Sequence, residues 1–481
     1  ILILGCVFVP FYTRSMVYTM PEFLERRYNP QSRTILSVIS LVSYVLTKVA
    51  VTVYAGGLVF QQVFGIKELW GIDFFWIAAI GLVVLTALYT IFGGMKSVLY
   101  TSVLQTPILL LGSLIILVLG FKELGGWDEM MRVCGAVTVN DYGDTMTNLI
   151  RSNDDANFPW LGALIGSAII GFWYWCTDQF IVQRVLSGKN EMEARRGTIF
   201  GAYLKLLPVF LFLIPGMIAF ALHQKYIGAG GEGFLPMLEN GTANADAAFA
   251  TLVAKLLPAG VKGLVVCGIL AALMSSLASL FNSSAMLFTI DFYKRFRPQT
   301  SEKKLVGIGQ VATVVIVILG ILWIPIMRSV GDVLYTYLQD VQSVLAPGIA
   351  AAFLLGICWK RTSAQGGMWG LISGMVIGLT RLGAKVYYSN AGEVADSTFK
   401  YLFYDMNWLF FCGWMFLFCI IVVIVVSLAT EAPTAEKIQG LVFGTATKEQ
   451  KASTRASWNH WDIIHTVIIL AITGAFYWYF W

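Results

Sequence analysis

The sequence predicts an all-α protein that crosses a membrane many times. Of its 481 residues, 57% are hydrophobic and only 13% are charged, and the mean hydropathy is +0.73. Soluble domains carry about 25% charged residues. Apolar runs of about 18 residues or more recur along the chain, and each is long enough to cross the hydrocarbon layer as a helix. This composition excludes a soluble globular protein.

Eleven runs are long enough to be complete spans, whereas residues 1–12 are apolar but too short to cross. Because the chain lacks an initiator methionine, we expect the natural N-terminus to be missing from a single transmembrane domain over residues 1–481. The polar segment 431–457 is predicted to be a flexible cytoplasmic linker before the last span. The predicted spans are 35–58, 76–93, 97–121, 160–182, 197–222, 258–290, 304–328, 331–358, 364–384, 406–430 and 461–480.

The placement of lysine and arginine predicts the orientation, because cytoplasmic loops of membrane proteins are enriched in these residues. Loops on the side of residues 13–34 hold 20 of the 33 lysines and arginines, and the opposite loops hold 9. The first side is therefore predicted to be cytoplasmic, in a plasma (inner) membrane. The net charge of +5 follows from this topology and does not indicate a nucleic-acid partner.

The cysteines and histidines form no pattern typical of a disulfide framework or a metal site. Six of the seven cysteines lie in apolar spans, and Cys134 stands alone in a predicted external loop. The three histidines are scattered along the chain. No set of nucleophile, base and metal ligands converges at one depth, so we do not expect an enzyme.

Polar and aromatic groups inside two consecutive spans predict a ligand site. Lys205 lies about 12 Å from the predicted cytoplasmic end of its span, and Tyr174 lies about as deep in the preceding span. An ammonium, a phenol and the indole N–H of Trp175 at one level would suit a neutral polyhydroxylated ligand. The alternatives are ordinary packing for each aromatic ring and a structural partner, such as Asp178, for Lys205.

A run of hydroxyl groups predicts a second candidate site in span 258–290. Ser275, Ser276 and Ser279 lie on one helix, with Asn282 one turn further on. Sodium prefers hard oxygen ligands, which hydroxyls and freed backbone carbonyls supply. Serines that permit close helix packing are the alternative interpretation.

Span 331–358 begins with a polar series that could line the same ligand site or a water-filled vestibule. Gln339 could both donate to and accept from a sugar hydroxyl. By simple counting Gln339 lies nearer the outer end, so a kink would have to lower it. The polar series is Tyr335, Tyr337, Gln339, Asp340 and Gln342, and interrupted spans are expected at Pro208, Pro215 and Pro347-Gly348.

Five segments carry a resemblance to a known family. Tyr89–Ser97 holds paired glycines that would form a tight cytoplasmic turn, and the other four are WYWCTDQFIVQRVLS, GAYLKLLP, MSSLASLFNSSAMLFTIDFYK and FLLGICWKRT. Together they resemble the sodium/solute symporter family, and within it the sodium–glucose cotransporters. The resemblance covers essentially the whole chain. It implies a LeuT-type core of two inverted five-helix repeats with additional flanking helices, fourteen spans when complete. By that count about two N-terminal helices would be missing from this chain.

The resemblance also implies residue roles. Tyr174 would be the inner gate stacked on the sugar ring, and Trp175, Lys205 and Gln339 would be hydrogen-bonding sugar contacts, with Tyr335 at a nearby aromatic position. The Ala272 carbonyl, Ser275 and Ser276 would form one half of a sodium site. The other half, and an acidic sugar contact, would belong to a helix that precedes Ile1.

Three departures from the family pattern bear on stoichiometry and contacts. Gly171 stands where relatives often carry a polar sugar contact. Ser102 stands where many relatives have an aspartate linked to a second sodium site, and Ala278 lacks a hydroxyl found in two-sodium members. We therefore expect one sodium ion per sugar.

Other cargoes remain open at this point. An inositol, a sialic acid or another small solute would keep the family and change the substrate, and Lys205 would suit an anion. The Tyr174 and Trp175 pair with Gln339 favours a neutral sugar. A non-transporting sugar sensor is a further alternative.

Overall fold

The computed structural model describes residues 1–15, 17–238, 241–330, 333–391 and 395–480, apart from the side chains at 89, 91–99, 101, 104 and 328–330. The regular structure in these residues is almost entirely helical, because a segment in hydrocarbon must satisfy its backbone hydrogen bonds internally. The exception is an antiparallel pair of two-residue strands, β1 (Glu68–Leu69) and β2 (Ile72–Asp73). The all-α prediction is thus confirmed.

Most of the helices follow one another with short connections, and the longer ones lie between α6 and α7 and between α10 and α11. The first eleven are α1 (Val9–Ser15), α2 (Met20–Arg27), α3 (Pro30–Ser43), α4 (Ala50–Phe64), α5 (Phe74–Leu124), α6 (Trp127–Gly135), α7 (Trp160–Phe172), α8 (Gln179–Leu186), α9 (Glu191–Pro208), α10 (Ile214–Gly228) and α11 (Ala248–Leu256). The others are α12 (Ala259–Met286), α13 (Lys294–Phe296), α14 (Glu302–Val330), α15 (Leu334–Cys358), α16 (Ala364–Asn390), α17 (Thr398–Lys400), α18 (Trp408–Ala429), α19 (Ala435–Ile438), α20 (Lys448–Ala456) and α21 (His460–Tyr479). Wider π-helical turns occur at Leu4–Phe8, Tyr44–Val49, Trp173–Thr177, Val209–Leu213, Leu287–Tyr293 and Tyr401–Asp405, and a 3₁₀ turn at Ala245–Ala247.

Nine helical segments in the described part of the chain are long and apolar enough to cross a membrane. They correspond to nine of the eleven predicted spans. The other two predictions fall in the Phe74–Leu88 part of α5 and in α16. α16 has 27 residues but is rich in glycine, which lowers its hydropathy.

The structure corrects the turn predicted between spans 76–93 and 97–121. α5 runs without a break from Phe74 to Leu124, through both glycines of the predicted turn. A glycine inside a helix costs only about 1 kcal/mol relative to alanine, so a glycine pair does not by itself end a helix. Apart from Thr90, the side chains of the Tyr89–Ser97 signature other than its glycines lie outside the described residues.

Proline interrupts one predicted span and leaves another intact. α9 ends at Pro208, a π-helical turn follows, and α10 begins with Pro215 in its first turn. Proline lacks the N–H that would continue a regular helix, which explains the change at this point. α15, by contrast, continues through Pro347, so the predicted interruption there is wrong. Its most apolar window is 83% buried, and this packing compensates for one lost hydrogen bond.

The first of two compact units consists of Ile1–Thr47, Asn153–Tyr203 and Ser283–Phe476. Its centre is formed by α7, α15, α16 and α18. Glycines allow the close approach of these helices, as small residues do in membrane bundles. A Cβ on Gly374 would lie 2.6 Å from the Cα of Gly348, so α15 and α16 are in backbone contact.

The predicted linker 431–457 lies in this first unit and contains α19 and α20. α20 starts with a capping box in which Thr447 and Gln450 satisfy each other's backbone N–H groups. Beyond its end, Arg195 donates to the carbonyl and the hydroxyl of Ser457 at 2.9 Å. The segment therefore makes defined contacts, and its cytoplasmic position stays a prediction.

The second unit consists of Lys48–Ser152, Leu204–Asn282 and Tyr477–Trp481. α5, α6, α10, α11 and α12 surround a core in which Leu124, Ile218, Leu222 and Leu252 are fully buried. α6 and α11 are short helices of nine residues each that pack against this core. The chain between these elements thus adds a folded layer to the long helices.

Candidate functional site

The structure places Tyr174 and Trp175 at the point where a long helix breaks. α7 changes into the π-helical turn Trp173–Thr177, and the backbone leaves the helix at Asp178 with φ −78° and ψ 123°. The Asp178 carboxylate caps α8 by accepting the Phe180 N–H at 3.1 Å and the Tyr44 hydroxyl at 3.0 Å. Broken helices of this kind surround substrate and ion sites in transporters.

The rings of this turn differ in their burial. Trp173 is buried in the first unit, whereas Tyr174 and Trp175 are each only half-buried. Their two rings stand perpendicular, with centroids 5.1 Å apart. The hydroxyl of Tyr12 donates to the Cys176 carbonyl at 2.5 Å, which fixes the end of this turn. The arrangement leaves parts of two fixed aromatic rings available to a ligand.

Tyr335 and Gln339 form a polar pair near the start of α15 in the same unit. They lie one helical turn apart, and the Gln339 side-chain N–H donates to the Tyr335 hydroxyl at 3.0 Å. Tyr335 is 55% exposed and its ring lies 6.5 Å from that of Phe158. Tyr337 has a structural role instead, because its buried hydroxyl donates to the Leu46 carbonyl at 3.0 Å.

Lys205 belongs to the second unit. It lies in the last turn of α9, three residues before the proline that ends the helix, and its side chain is exposed. The common level expected for Lys205, Tyr174 and Trp175 stays a prediction.

The expected sodium ligands lie on one face of α12 in the second unit. Ala272, Ser275 and Ser276 are spaced three and four residues apart, so they share a helix face. Ser275 is buried and its Oγ lies 2.6 Å from the Oγ of Ser102, whereas Ser276 is exposed. The Ser275 carbonyl accepts the Ser279 hydroxyl at 3.0 Å. Ser102 is therefore hydrogen-bonded to Ser275, one of the predicted sodium ligands.

The chemistry of this face suits a hard monovalent cation rather than a transition metal. Within the described residues, no three His, Cys, Asp or Glu side chains form a group that could hold a metal ion. Ser275 and Ser276 offer neutral hydroxyl oxygens, and Ala272 offers a carbonyl. These oxygens can bind sodium without adding charge to the site.

Gly171 lies one helical turn before the aromatic pair. A Cβ built on it would meet no atom within 4 Å, in the same unit or elsewhere among the described residues. The space beside Gly171 is therefore open.

Sequence reasoning missed a buried charge cluster in the first unit. Lys385 on α16 forms an ion pair with Asp340 on α15, and the Nη2 of Arg381 lies 3.7 Å from the other Asp340 oxygen. Arg381 is fully buried and also donates to the carbonyls of Leu402 and Met406 at 3.3 and 2.7 Å. The available signal was the occurrence of charges in two consecutive spans.

A second missed ion pair lies near the beginning of the first unit. Asp291 is fully buried and accepts from the guanidinium of Arg33 at 2.6 Å and from the Thr19 hydroxyl at 3.1 Å. Arg33 also contacts Glu25 at 2.6 Å. These bonds connect the loop before α2, the start of α3 and the π-helical turn Leu287–Tyr293 that follows α12.

Comparison with known proteins identifies relatives over the whole chain. The model of the sodium:solute symporter family matches residues 1–374. The sodium/mannose cotransporter of Bos taurus is 36% identical, in an alignment that covers 100% of this chain and 83% of that protein. The sodium/glucose cotransporter 1 of Ovis aries is 37% identical (90% and 66% covered), and the human sodium/myo-inositol cotransporter 2 is 35% identical (92% and 67% covered).

A solved structure confirms the expected fold. The substrate-bound, outward-open Na⁺-coupled sialic acid symporter matches with a TM-score of 0.65 at 20% identity, over 90% of this chain and 81% of that one. At this identity the match shows the fold alone. It is the LeuT-type fold of inverted five-helix repeats with flanking helices that the sequence predicts.

Proposed function

The chain belongs to the sodium:solute symporter family, and we propose that it carries a neutral hexose together with sodium across a plasma membrane by alternating access. The pair Tyr174–Trp175 carries this proposal. A helix break presents parts of two fixed rings, and sugars have C–H faces that stack on aromatic rings. Relatives named for mannose, glucose and myo-inositol support a small polyhydroxylated substrate.

In this mechanism the first unit supplies stacking and part of the hydrogen bonding. Tyr174 is the gate that lies on the sugar ring, and Trp175 contributes its indole N–H. Gln339 and Tyr335, already joined by a hydrogen bond, offer an amide and a hydroxyl to the sugar. We also propose Lys205 as a donor to a sugar oxygen, since an ammonium carries three N–H donors.

Sodium binds to the α12 face in the second unit, through the Ala272 carbonyl, Ser275 and Ser276. We propose one sodium ion per sugar. The neighbour of Ser275 is the neutral Ser102, and Ala278 has no hydroxyl, so the face lacks the carboxylate and one of the oxygens that a second ion would need.

One ion supplies enough free energy for accumulation. Moving one charge through 100 mV contributes about 2.3 kcal/mol. A tenfold sodium gradient adds about 1.4 kcal/mol, and the total of about 3.7 kcal/mol supports roughly 500-fold accumulation of a neutral sugar.

A second candidate substrate is an inositol, because a relative of 35% identity is named for myo-inositol transport. A cyclic polyol offers the same ring face and hydroxyls as a hexose, so the proposed contacts would serve both. A sugar sensor would bind the sugar at the same site, but no net sugar would cross the membrane.

The test is uptake of labelled hexose by the full-length protein in liposomes, with and without a sodium gradient. We expect sodium-dependent uptake that unlabelled hexose inhibits better than myo-inositol or an anionic sugar. Lys205→Ala and Gln339→Ala should each raise the sugar KM about tenfold, the equivalent of one net hydrogen bond. Phe200→Ala, which truncates an exposed side chain on the same helix as Lys205, is the matched control and should leave the KM unchanged.

Stronger inhibition by myo-inositol than by any hexose would reassign the substrate. Sodium currents without sugar flux would support the sensor, and uptake that ignores sodium would refute the proposal.

A further inference from the structure

α15 and α16 share a seam of small residues that ends in charges. Gly374 and Gly378 face α15, where a Cβ on Gly374 would lie 2.6 Å from the Gly348 Cα and one on Gly378 would overlap the Val344 carbonyl. Arg381 and Lys385 follow on the same face of α16, three and seven residues after Gly378, because these intervals are close to whole helical turns. On α15, Asp340 precedes Val344 by one turn. The charges therefore continue the seam where the small residues stop.

The two cations of this cluster have different means of compensation. Arg381 donates to the carbonyls of Leu402 and Met406 and stacks on Phe411, with its guanidinium carbon 4.0 Å from the ring centroid. Leu402 lies in the π-helical turn Tyr401–Asp405 and Met406 directly follows it. Lys385, whose side chain is 20% exposed, is ion-paired with Asp340, which is 13% exposed. Asp340 is thus the group that neutralises Lys385.

The same stretch of α15 holds the polar pair proposed to meet the sugar. Gln339 immediately precedes Asp340 in the chain, and its amide is bonded to Tyr335 one turn earlier. Ser343 closes the following turn by donating to the Asp340 carbonyl at 2.6 Å. If Asp340 lost its pairing, this turn of the helix would no longer be held against α16, and Gln339 would shift with it.

We propose that Asp340 is a positioning residue: its pairing with Lys385, beside Arg381, holds the first two turns of α15 against α16 and thereby sets where Gln339 and Tyr335 meet the substrate. This inference rests on the proposed function, because it assigns a role to residues behind the proposed sugar contacts. It predicts that the pair determines sugar affinity without determining sodium affinity.

The test compares Asp340→Asn, Lys385→Met, the double variant and Lys385→Arg in the full-length protein. Both single variants should raise the sugar KM about tenfold, because a displaced Gln339 loses about one net hydrogen bond to the sugar. The double variant should also show about tenfold rather than about a hundredfold, since the two residues act through each other. Lys385→Arg keeps the charge and should stay near the wild-type KM. The sodium concentration for half-maximal uptake should change less than twofold in all of them.

The matched control is Asp396→Asn. Asp396 is also ion-paired with a lysine, Lys400, but its side chain is 95% exposed. This variant should leave the sugar KM unchanged. If Asp340→Asn fails to fold because Lys385 is left buried and unpaired, the double variant, which removes both charges, supplies the same comparison.

Hydrogen exchange of residues 334–343 tests, independently of transport, whether the Asp340–Lys385 pair holds the start of α15 against α16. Asp340→Asn or the double variant should exchange at least tenfold faster there than wild type, with exchange in α18 unchanged. Wild-type exchange together with a wild-type sugar KM would overturn the inference. If the wild-type protein shows no sodium-dependent uptake, the proposed function fails. Unchanged hydrogen exchange in the variants would then separately overturn the positioning role of Asp340.

Discussion

A hydroxyl that binds a cation through its oxygen must donate its proton to another group. In the second unit the Oγ of Ser102 lies 2.6 Å from that of Ser275, so Ser102 can accept this proton, which would leave the lone pairs of Ser275 for the proposed sodium ion. A neutral serine supports the geometry of one ion and adds no charge for another. At the scale of single residues, Ser102 therefore bears on the proposed stoichiometry in two ways: it would orient the Ser275 hydroxyl for one ion, and it supplies no carboxylate for a second.

Ser275→Ala should raise the sodium concentration for half-maximal uptake about tenfold or more, because it removes a ligand. Ser102→Ala should have a smaller effect in the same direction, and Ser102→Thr, which keeps the hydroxyl, should restore the wild-type value. Sodium titrations of hexose uptake at saturating sugar provide the measurement. Ser113→Ala is the control, since this hydroxyl on the same helix donates to the Leu109 carbonyl at 2.9 Å. Identical sodium titrations for Ser275→Ala and wild type would contradict the assignment.

At the scale of elements, α16 shows how far hydropathy reaches. The span predicted from an apolar run, 364–384, gives the start of α16 but ends six residues before the helix does, and the glycines that make it pack played no part in that prediction. Gly374 faces the backbone of α15, whereas a Cβ on Gly383 would meet no atom within 4 Å. A span prediction treats these two glycines alike, because contact between helices is not encoded in a hydropathy average.

Gly374→Ala should destabilise the protein by about 1–3 kcal/mol, since the added methyl group forces α15 and α16 apart. Gly383→Ala on the same helix should be neutral or stabilising by up to about 1 kcal/mol, because alanine is the better helix former. Thermal unfolding of the purified protein in detergent compares the two. Equal unfolding temperatures for both variants would show that the seam is not in contact.

Other elements mark the same limit. The break at Trp173–Thr177 depends on the bond between Asp178 and Tyr44, which are 134 residues apart. α15 passes through Pro347 because its neighbours bury it. Local patterns predicted a glycine turn in α5 and an interruption in α15, and tertiary packing decided against the second.

At the scale of the whole molecule, composition and family motifs were sufficient for the fold class, and the LeuT-type architecture is confirmed. The site was only partly predictable. Tyr174, Trp175, Tyr335 and Gln339 lie at a helix break and on an exposed turn of the first unit, which suits their predicted roles. The pairing of Asp340 with Lys385 could not be predicted, because the two residues lie 45 positions apart and either alone is consistent with a solvated helix end.

The central claim is that one sodium ion drives one neutral hexose. It is tested most directly by measuring charge movement and labelled hexose uptake simultaneously in liposomes held at a fixed membrane potential. Because the sugar is uncharged, each positive charge that enters counts one sodium ion. We expect one charge per hexose and no uptake when sodium is replaced by choline. Two charges per hexose, or hexose uptake without sodium, would contradict the account.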